Sequence, residues 1–167
     1  WPGEGAPEVM CRGIDADAGG RIYVAGDADH PVIIFSEDGE YLGEWEAEVL
    51  ATPHGLRIQD DTVWISDVET HMVHQFSLDG TLIRSFGEKG VAGDEPERFN
   101  KPTDFAFGPD GSVYVSDGYL NTRVVCLTSD GKVKKIWGEP GEGPGQFNLV
   151  HAIAIDAKNR VVVADRS

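Results

Sequence analysis

A repeat of short apolar strands, each closed by a tight turn, constrains the fold of this chain more than any other feature. The cleanest copy runs from Thr103 to Gly138 and contains about four strands in roughly 35 residues, the size of one propeller blade. Gly and Asp residues close its strands, as antiparallel hairpins require. The first position of this copy is Thr103. His54 and His151 hold the same position in the units before and after it, 49 and 48 residues away. Repeats of this length predict a propeller or a solenoid, because one four-stranded unit cannot bury both of its faces alone.

The repeat divides the chain into about three and a half units, which we predict to form one all-β, propeller-type domain over residues 1–167. The units span approximately residues 9–46, 54–87, 103–138 and 151–167. Closed propellers have about 4 to 8 blades. We therefore expect the chain to be part of a longer ring, with six blades as the working frame, and to assemble with the remainder of that propeller. Assembly of two copies into one ring is the less favoured alternative.

Charge and composition exclude two classes of interaction. Asp and Glu number 29 against 14 Lys and Arg, which gives a formal net charge of -15. A surface this acidic repels phosphate backbones, so we expect no nucleic-acid partner. No apolar run is long enough to span a membrane.

The two cysteines, Cys11 and Cys126, are too few for a disulfide framework and are predicted to be small buried residues.

Two histidines at equivalent first positions predict a metal site. His54 and His151 begin the innermost strands of the second and fourth units, and in a six-bladed ring such units are related by about 120° around the central channel. Neutral imidazole nitrogens that converge there suit zinc. Thr103, at the same position between them, is expected to supply no ligand. The alternative is that each histidine caps a strand end and bonds locally.

Two more side chains are expected at the same end of the channel. Tyr119 follows the second strand of the third unit, and a phenol near a metal can act as a general base. Arg166 occupies nearly the same place in the fourth unit, where a guanidinium can hold a carboxylate or an oxyanion. The alternative for Tyr119 is a role in packing alone, and the alternative for Arg166 is a salt bridge to a neighbouring blade. His71 and His74 are predicted to face solvent.

Segments along nearly the whole chain resemble one known family. The run Ser-Asp-Gly-Tyr-x-Asn-x-Arg within them is quite specific among NHL proteins. The segments are Thr52–Leu56, Trp64–Val68, Lys101–Asp104, Val115–Arg123, Trp137–Asn148 and Val163–Arg166. Together they resemble the NHL-repeat propeller of peptidyl-α-hydroxyglycine α-amidating lyases.

This resemblance implies a six-bladed propeller with a zinc ion held in its channel by three histidines. It implies His54 and His151 as two of the zinc ligands, and the third would lie beyond the chain. It implies Tyr119 as the base that takes the substrate hydroxyl proton and Arg166 as a catalytic or substrate-orienting cation. The implied reaction cleaves a peptidyl-α-hydroxyglycine to a peptide amide and glyoxylate, with zinc polarising the hydroxyl.

The resemblance also implies a structural calcium ion, bound by the backbone carbonyls of Leu56 and, by blade equivalence, Ile14. The expected partner is a small peptide-like substrate or a protein ligand, and the expected location is extracellular or periplasmic. In one departure from the family, Asp27 stands where an arginine is usual, which disfavours a carboxylate-bearing product nearby. The alternative function is a non-catalytic NHL propeller that binds a protein or a glycan on its loop face.

Overall fold

Every regular element that the computed structural model contains between residues 4 and 166 is a β-strand. The chain divides into two compact units, of which the first comprises residues up to 67 and 73–85, and the second comprises residues 68–72 and those from 86 onward. Trp1 to Gly3 and Ser167, the two ends of the predicted domain, lie outside the described residues. Within the described part there is no helix that is long and apolar enough to cross a membrane.

Two four-stranded sheets account for most of the first unit. Their strands are hydrogen-bonded in chain order, so that short turns join neighbouring strands. The first sheet contains β1 (Gly13–Ala16), β2 (Ile22–Ala25), β3 (Val32–Phe35) and β4 (Tyr41–Trp45). The second sheet contains β5 (Pro53–Gln59), β6 (Thr62–Asp67), β7 (Met72–Ser77) and β8 (Leu82–Phe86).

The second unit repeats this pattern with one complete sheet and two further strand pairs. The complete sheet contains β9 (Asp104–Phe107), β10 (Val113–Asp117), β11 (Arg123–Leu127) and β12 (Val133–Trp137). The two pairs are β13 (Glu139–Pro140) with β14 (Gln146–Phe147), and β15 (Val150–Ile155) with β16 (Val161–Asp165). The prediction of an all-β chain built from four-stranded repeats is therefore confirmed.

Apolar side chains from both sheets of the first unit form its core. Trp45 is central, with its ring 5.9 Å from that of Tyr23 and 5.5 Å from that of Phe76 on the other sheet. The first sheet has a second apolar face as well, formed by Val24, Ile33 and Phe35. Leu56 is fully buried against the first sheet, whereas Ile14, at the equivalent register position in β1, is 50% exposed.

In the second unit, the complete sheet packs against β15. Ala106 and Val124 of the sheet share a buried cluster with Val150 and Ile153 of β15. This contact fixes the start of β15, which carries the predicted ligand His151, against the complete sheet of the same unit.

Two predictions about exposure are wrong. Cys126 is buried as expected, but Cys11 is exposed because it precedes β1 instead of lying within a strand. His74 is fully buried, with its Nδ1 atom 2.8 Å from the hydroxyl of Ser85. His71 is half-buried, and its Nδ1 accepts a hydrogen bond from the backbone amide of Lys101.

Candidate functional site

His54 and His151, the two histidines predicted to bind a metal, both lie in β-bulges. In β5 the pairing register shifts across His54 and Gly55, and in β15 it shifts across His151. A bulge leaves its extra residue without a regular ladder partner, bends the strand and re-aims a side chain. Both histidines are half-buried, so each imidazole has a position that regular strand alternation does not dictate.

The structure brings three of the predicted site residues together in the second unit. The Tyr119 hydroxyl lies 3.3 Å from Nε2 of His151, and the two rings meet edge to face with centroids 5.7 Å apart. The guanidinium carbon of Arg166 lies 5.7 Å from the centroid of the Tyr119 ring, within the range of a cation–π contact. This arrangement joins a phenol, an imidazole and a fixed positive charge at one partly open point.

Close backbone packing holds Tyr119 at this point. Gly118 lies directly against β15, and a Cβ at Gly118 would stand 1.7 Å from the carbonyl oxygen of Val150. No residue other than glycine fits such an approach without a shift of the backbone. Since Gly118 precedes Tyr119 and Val150 precedes His151, this contact sets the spacing between these two candidate side chains.

Thr103, which is expected to supply no metal ligand, also packs at the candidate site. It is fully buried, and its Oγ1 lies 2.7 Å from the carbonyl oxygen of Val150. Its backbone amide donates to the carbonyl of Ser116 at the end of β10. Sequence reasoning assigned no role to Thr103, and the only signal available was its register with the two histidines.

The specific run around Tyr119 has a structural role that sequence reasoning also missed. Asp117 is fully buried, and its carboxylate accepts hydrogen bonds from the Asn100 amide at 2.7 Å, the Asn121 side chain at 2.7 Å and Nε of Arg123 at 2.9 Å. Burial raises the pKa of the Asp117 carboxyl, and the hydrogen bonds from Asn121, Asn100 and Arg123 oppose that rise. The Asp, Asn and Arg of the run therefore form one buried cluster beneath the loop that carries Tyr119.

Equivalent aspartates bind the linker that precedes their own unit. Asp67 accepts hydrogen bonds from the amides of Ala51 and Thr52. Asp165 accepts hydrogen bonds from the amides of Asn148 and Leu149. The recurring aspartate thus ties each incoming linker to the end of the second strand of the unit.

Arg123 anchors the long acidic linker between β8 and β9. Its guanidinium donates to the carbonyls of Asp94, Glu95 and Arg98, the last at 2.8 Å. Asn121 adds a bond to the carbonyl of Gly93 at 2.9 Å. The acidic side chains of this linker are exposed, but its backbone is fixed beside the loop of Tyr119.

The two carbonyls predicted to bind calcium lie on neighbouring strands of the first unit. A Cβ at Gly13, beside Ile14, would lie 2.7 Å from the amide nitrogen of Leu56. However, Nη1 of Arg57 already donates to the Leu56 carbonyl at 2.9 Å. A guanidinium at this distance repels a divalent cation. The residues therefore fit a calcium ion at Leu56 only if Arg57 leaves this position.

Asp27, the anion at the position of a family arginine, belongs to a tight turn. Its carboxylate accepts hydrogen bonds from the amides of Asp29 and His30, both at 3.2 Å. His30 in turn places its Nδ1 2.6 Å from a carboxylate oxygen of Glu44. The first unit thus has a turn-bound carboxylate at this position, next to Gly26, whose carbonyl accepts a hydrogen bond from Nη1 of Arg12.

The zinc prediction concerns one histidine from each unit, His54 in the first and His151 in the second. Among residues 4–166 no group of three or more His, Cys, Asp or Glu side chains is arranged to hold a metal ion. His54 and His151 nevertheless fit zinc in kind, because both are imidazoles at bulges and neither residue is fully buried.

Comparison with known proteins identifies relatives of two kinds. The chain is 36% identical over 172 aligned residues to NHL repeat-containing protein 3 of Mus musculus, covering 95% of the chain and 49% of that protein. It is 33% identical over 140 residues to the probable peptidyl-alpha-hydroxyglycine alpha-amidating lyase pgal-1 of Caenorhabditis elegans, covering 81% of the chain and 40% of that protein. The chain thus spans about half the length, or less, of these curated relatives.

No family model matches the chain. Among solved structures, a streptogramin B lyase superposes with a TM-score of 0.72 at 14% identity, over 98% of this chain and half (50%) of that one. At this level of identity the likeness concerns the fold alone, and it agrees with propeller-type blades. The sequence similarity, and not this superposition, supports the NHL-type assignment.

Proposed function

We propose that this chain, an NHL-repeat β-propeller segment that resembles peptidyl-α-hydroxyglycine α-amidating lyases, forms part of a zinc-dependent lyase that releases glyoxylate from a hydroxylated peptide terminus. The observation that carries the proposal is the 3.3 Å approach of the Tyr119 hydroxyl to Nε2 of His151. The position of Arg166 over the Tyr119 ring supports it, because the substrate carries a carboxylate.

The reaction assigns a separate task to each of these side chains. Tyr119 takes the proton of the substrate hydroxyl, the C–N bond of the hydroxyglycine breaks as the hydroxyl oxygen becomes the aldehyde oxygen of glyoxylate, and Tyr119 returns the proton to the departing amide nitrogen. The products are a peptide amide and glyoxylate. Arg166 orients the substrate carboxylate through charge-assisted hydrogen bonds, and His151 holds the phenol in place. A zinc ion bound by His54, His151 and a third ligand would supply Lewis-acid polarisation of the hydroxyl.

Metal analysis and a glyoxylate assay on the full-length protein test this proposal together. We expect about one zinc per molecule and its loss when His54 and His151 are both changed to alanine. His30→Ala is the matched control, since this histidine pairs with Glu44 in a surface turn, and it should keep the zinc. Absence of zinc from the parent protein would remove the metal site. Zinc without glyoxylate release would remove the lyase reaction.

Asp27 favours one second candidate, a non-catalytic NHL propeller that binds a protein or a glycan. Its carboxylate is committed to a turn and brings negative charge where the family has an arginine. Such a protein would keep its fold and its loops but release no glyoxylate from any hydroxylated peptide. An extracellular or periplasmic location suits both candidates and stays a prediction.

A further inference from the structure

We propose that Thr103 is a positioning residue: its hydroxyl holds the carbonyl of Val150 and thereby fixes His151 against Tyr119. The geometric part of this proposal is independent of the chemistry, whereas its effect on turnover rests on the proposed lyase function. Thr103 takes the register position that histidine holds in the neighbouring units. In this unit, the position would thus serve the site through the backbone.

The contacts of the Thr103 hydroxyl identify its target. Oγ1 lies 2.7 Å from the Val150 carbonyl, 2.9 Å from the Ser116 hydroxyl and 3.0 Å from the Ser116 carbonyl. A hydroxyl has one proton to donate, and the shortest acceptor distance assigns that proton to Val150. Thr103 and Val150 are both fully buried, so no bulk water replaces this bond if it is lost.

Val150 matters because it precedes the bulge. The pairing register of β15 shifts between Val150 and Ala152, which leaves His151 outside the regular ladder. A residue in a bulge is not oriented by strand pairing, so its orientation depends on the peptide group that leads into it. That peptide group contains the carbonyl that Thr103 binds.

Contacts from other parts of the unit hold the same stretch of backbone. Gly118 packs against the Val150 carbonyl from the loop of Tyr119, and the Arg166 amide donates to the Leu149 carbonyl at 2.8 Å. The Asp165 carboxylate also binds this stretch, at the Leu149 amide, but of the two contacts at the Val150 carbonyl itself only the one from Thr103 comes from a side chain. A substitution can therefore remove it without changing the backbone, which makes Thr103 the place at which the idea can be tested.

The alternative is that Thr103 merely satisfies a buried carbonyl. In that case its loss would lower stability and leave the Tyr119–His151 contact as it is. If Thr103 positions His151, its loss will separate the two rings while the rest of the unit keeps its structure. The two ideas therefore differ in a local distance and not in stability.

The test uses the full-length protein with its histidine and tyrosine rings isotopically labelled, and it measures the nuclear Overhauser cross-peak between the rings of Tyr119 and His151. We expect Thr103→Val, which keeps the shape and removes the donor, to lose this cross-peak. We expect Thr103→Ser, which keeps the donor, to retain it. Val125→Ala, a fully buried truncation in the same sheet, serves as the control and should lower the melting temperature while keeping the cross-peak.

Each outcome decides whether Thr103 positions His151. A cross-peak that persists in Thr103→Val, that is missing from Thr103→Ser, or that is also lost in Val125→Ala overturns the proposal. If Thr103→Val does not fold, Thr103→Cys must weaken the cross-peak, because a thiol is a weaker donor of similar size. Glyoxylate release separates this proposal from the lyase function. An at least tenfold lower kcat/KM in Thr103→Val, restored in Thr103→Ser, supports both, while an inactive parent with the expected cross-peaks contradicts the lyase alone.

Discussion

Gly118 packs so closely on Val150 that a methyl group on its Cα would stand 1.7 Å from the Val150 carbonyl oxygen. We therefore expect Gly118→Ala to push the loop of Tyr119 away from His151 and to cost about 1–3 kcal/mol of stability through overpacking. Glyoxylate release should fall by more than tenfold, because the phenol and the imidazole separate. Chemical denaturation and the lyase assay measure the two effects.

The control for this change is Gly143→Ala in the same unit. There the nearest atom to a new Cβ is the end of the flexible Gln146 side chain, at 3.0 Å. We expect nearly unchanged stability and activity. If Gly118→Ala behaves like this control, the close contact does not set the geometry of the site.

Tyr119→Phe separates the hydroxyl from the ring. The variant keeps the ring that lies under Arg166 and beside His151 but has no phenol to take a proton. We expect glyoxylate release to fall by about 10²- to 10⁴-fold, the usual contribution of a general base. Stability should drop by no more than about 1 kcal/mol, the net value of one hydrogen bond. Full activity in this variant would exclude Tyr119 as the base.

The sequence predicted the blades and the convergence of Tyr119, His151 and Arg166, since these depend on the repeat and on its register. It failed for His74, which lies in the strand run Met72–His74 and is buried like its neighbours. Alternation predicts exposure only for a sheet with one wet face, and here successive residues of a strand are buried on both faces.

The contribution of Thr103 could not be predicted for a different reason. A sequence shows which residues share a register position, but it does not show a bulge or the distance from a hydroxyl to a carbonyl of another strand. The same applies to Arg123, whose three carbonyl acceptors lie 25 to 29 residues away in an irregular linker. Contacts to irregular backbone follow no period and are visible only in the structure.

Arg123→Met should destabilise the second unit strongly. Arg123 and Asp117 form a buried ion pair, and removal of one partner leaves a buried charge uncompensated, which typically costs about 3–5 kcal/mol. The acidic linker also loses three carbonyl contacts, so limited proteolysis should cut near Asp94 faster. Arg160→Met, which removes an exposed pair with Asp156, should cost at most about 1 kcal/mol.

The stability that Arg123→Met loses should depend on pH in a defined direction. Burial already raises the pKa of Asp117 above that of the unfolded chain, and without Arg123 it should rise further. A raised carboxyl pKa means that the native state binds the proton more tightly, so stability is gained as pH falls through that pKa and lost as pH rises through it. The destabilisation by Arg123→Met should therefore be smaller at about pH 4.5 than at about pH 7. Equal losses at both pH values would contradict a charged Asp117 in the parent protein.

Arg57 makes the calcium question experimentally simple. Because its guanidinium donates to the Leu56 carbonyl at 2.9 Å, we expect the melting temperature of the parent protein to be the same with chelator and with millimolar calcium. Arg57→Met frees that carbonyl, and any cation site there should then appear as a calcium-dependent rise in melting temperature, since a ligand that binds only the native state stabilises it by mass action. Arg21→Met, which removes an arginine of the same unit that pairs with Asp17, should stay independent of calcium. Calcium that stabilises the parent protein through Leu56 would show that the guanidinium yields its place to the ion.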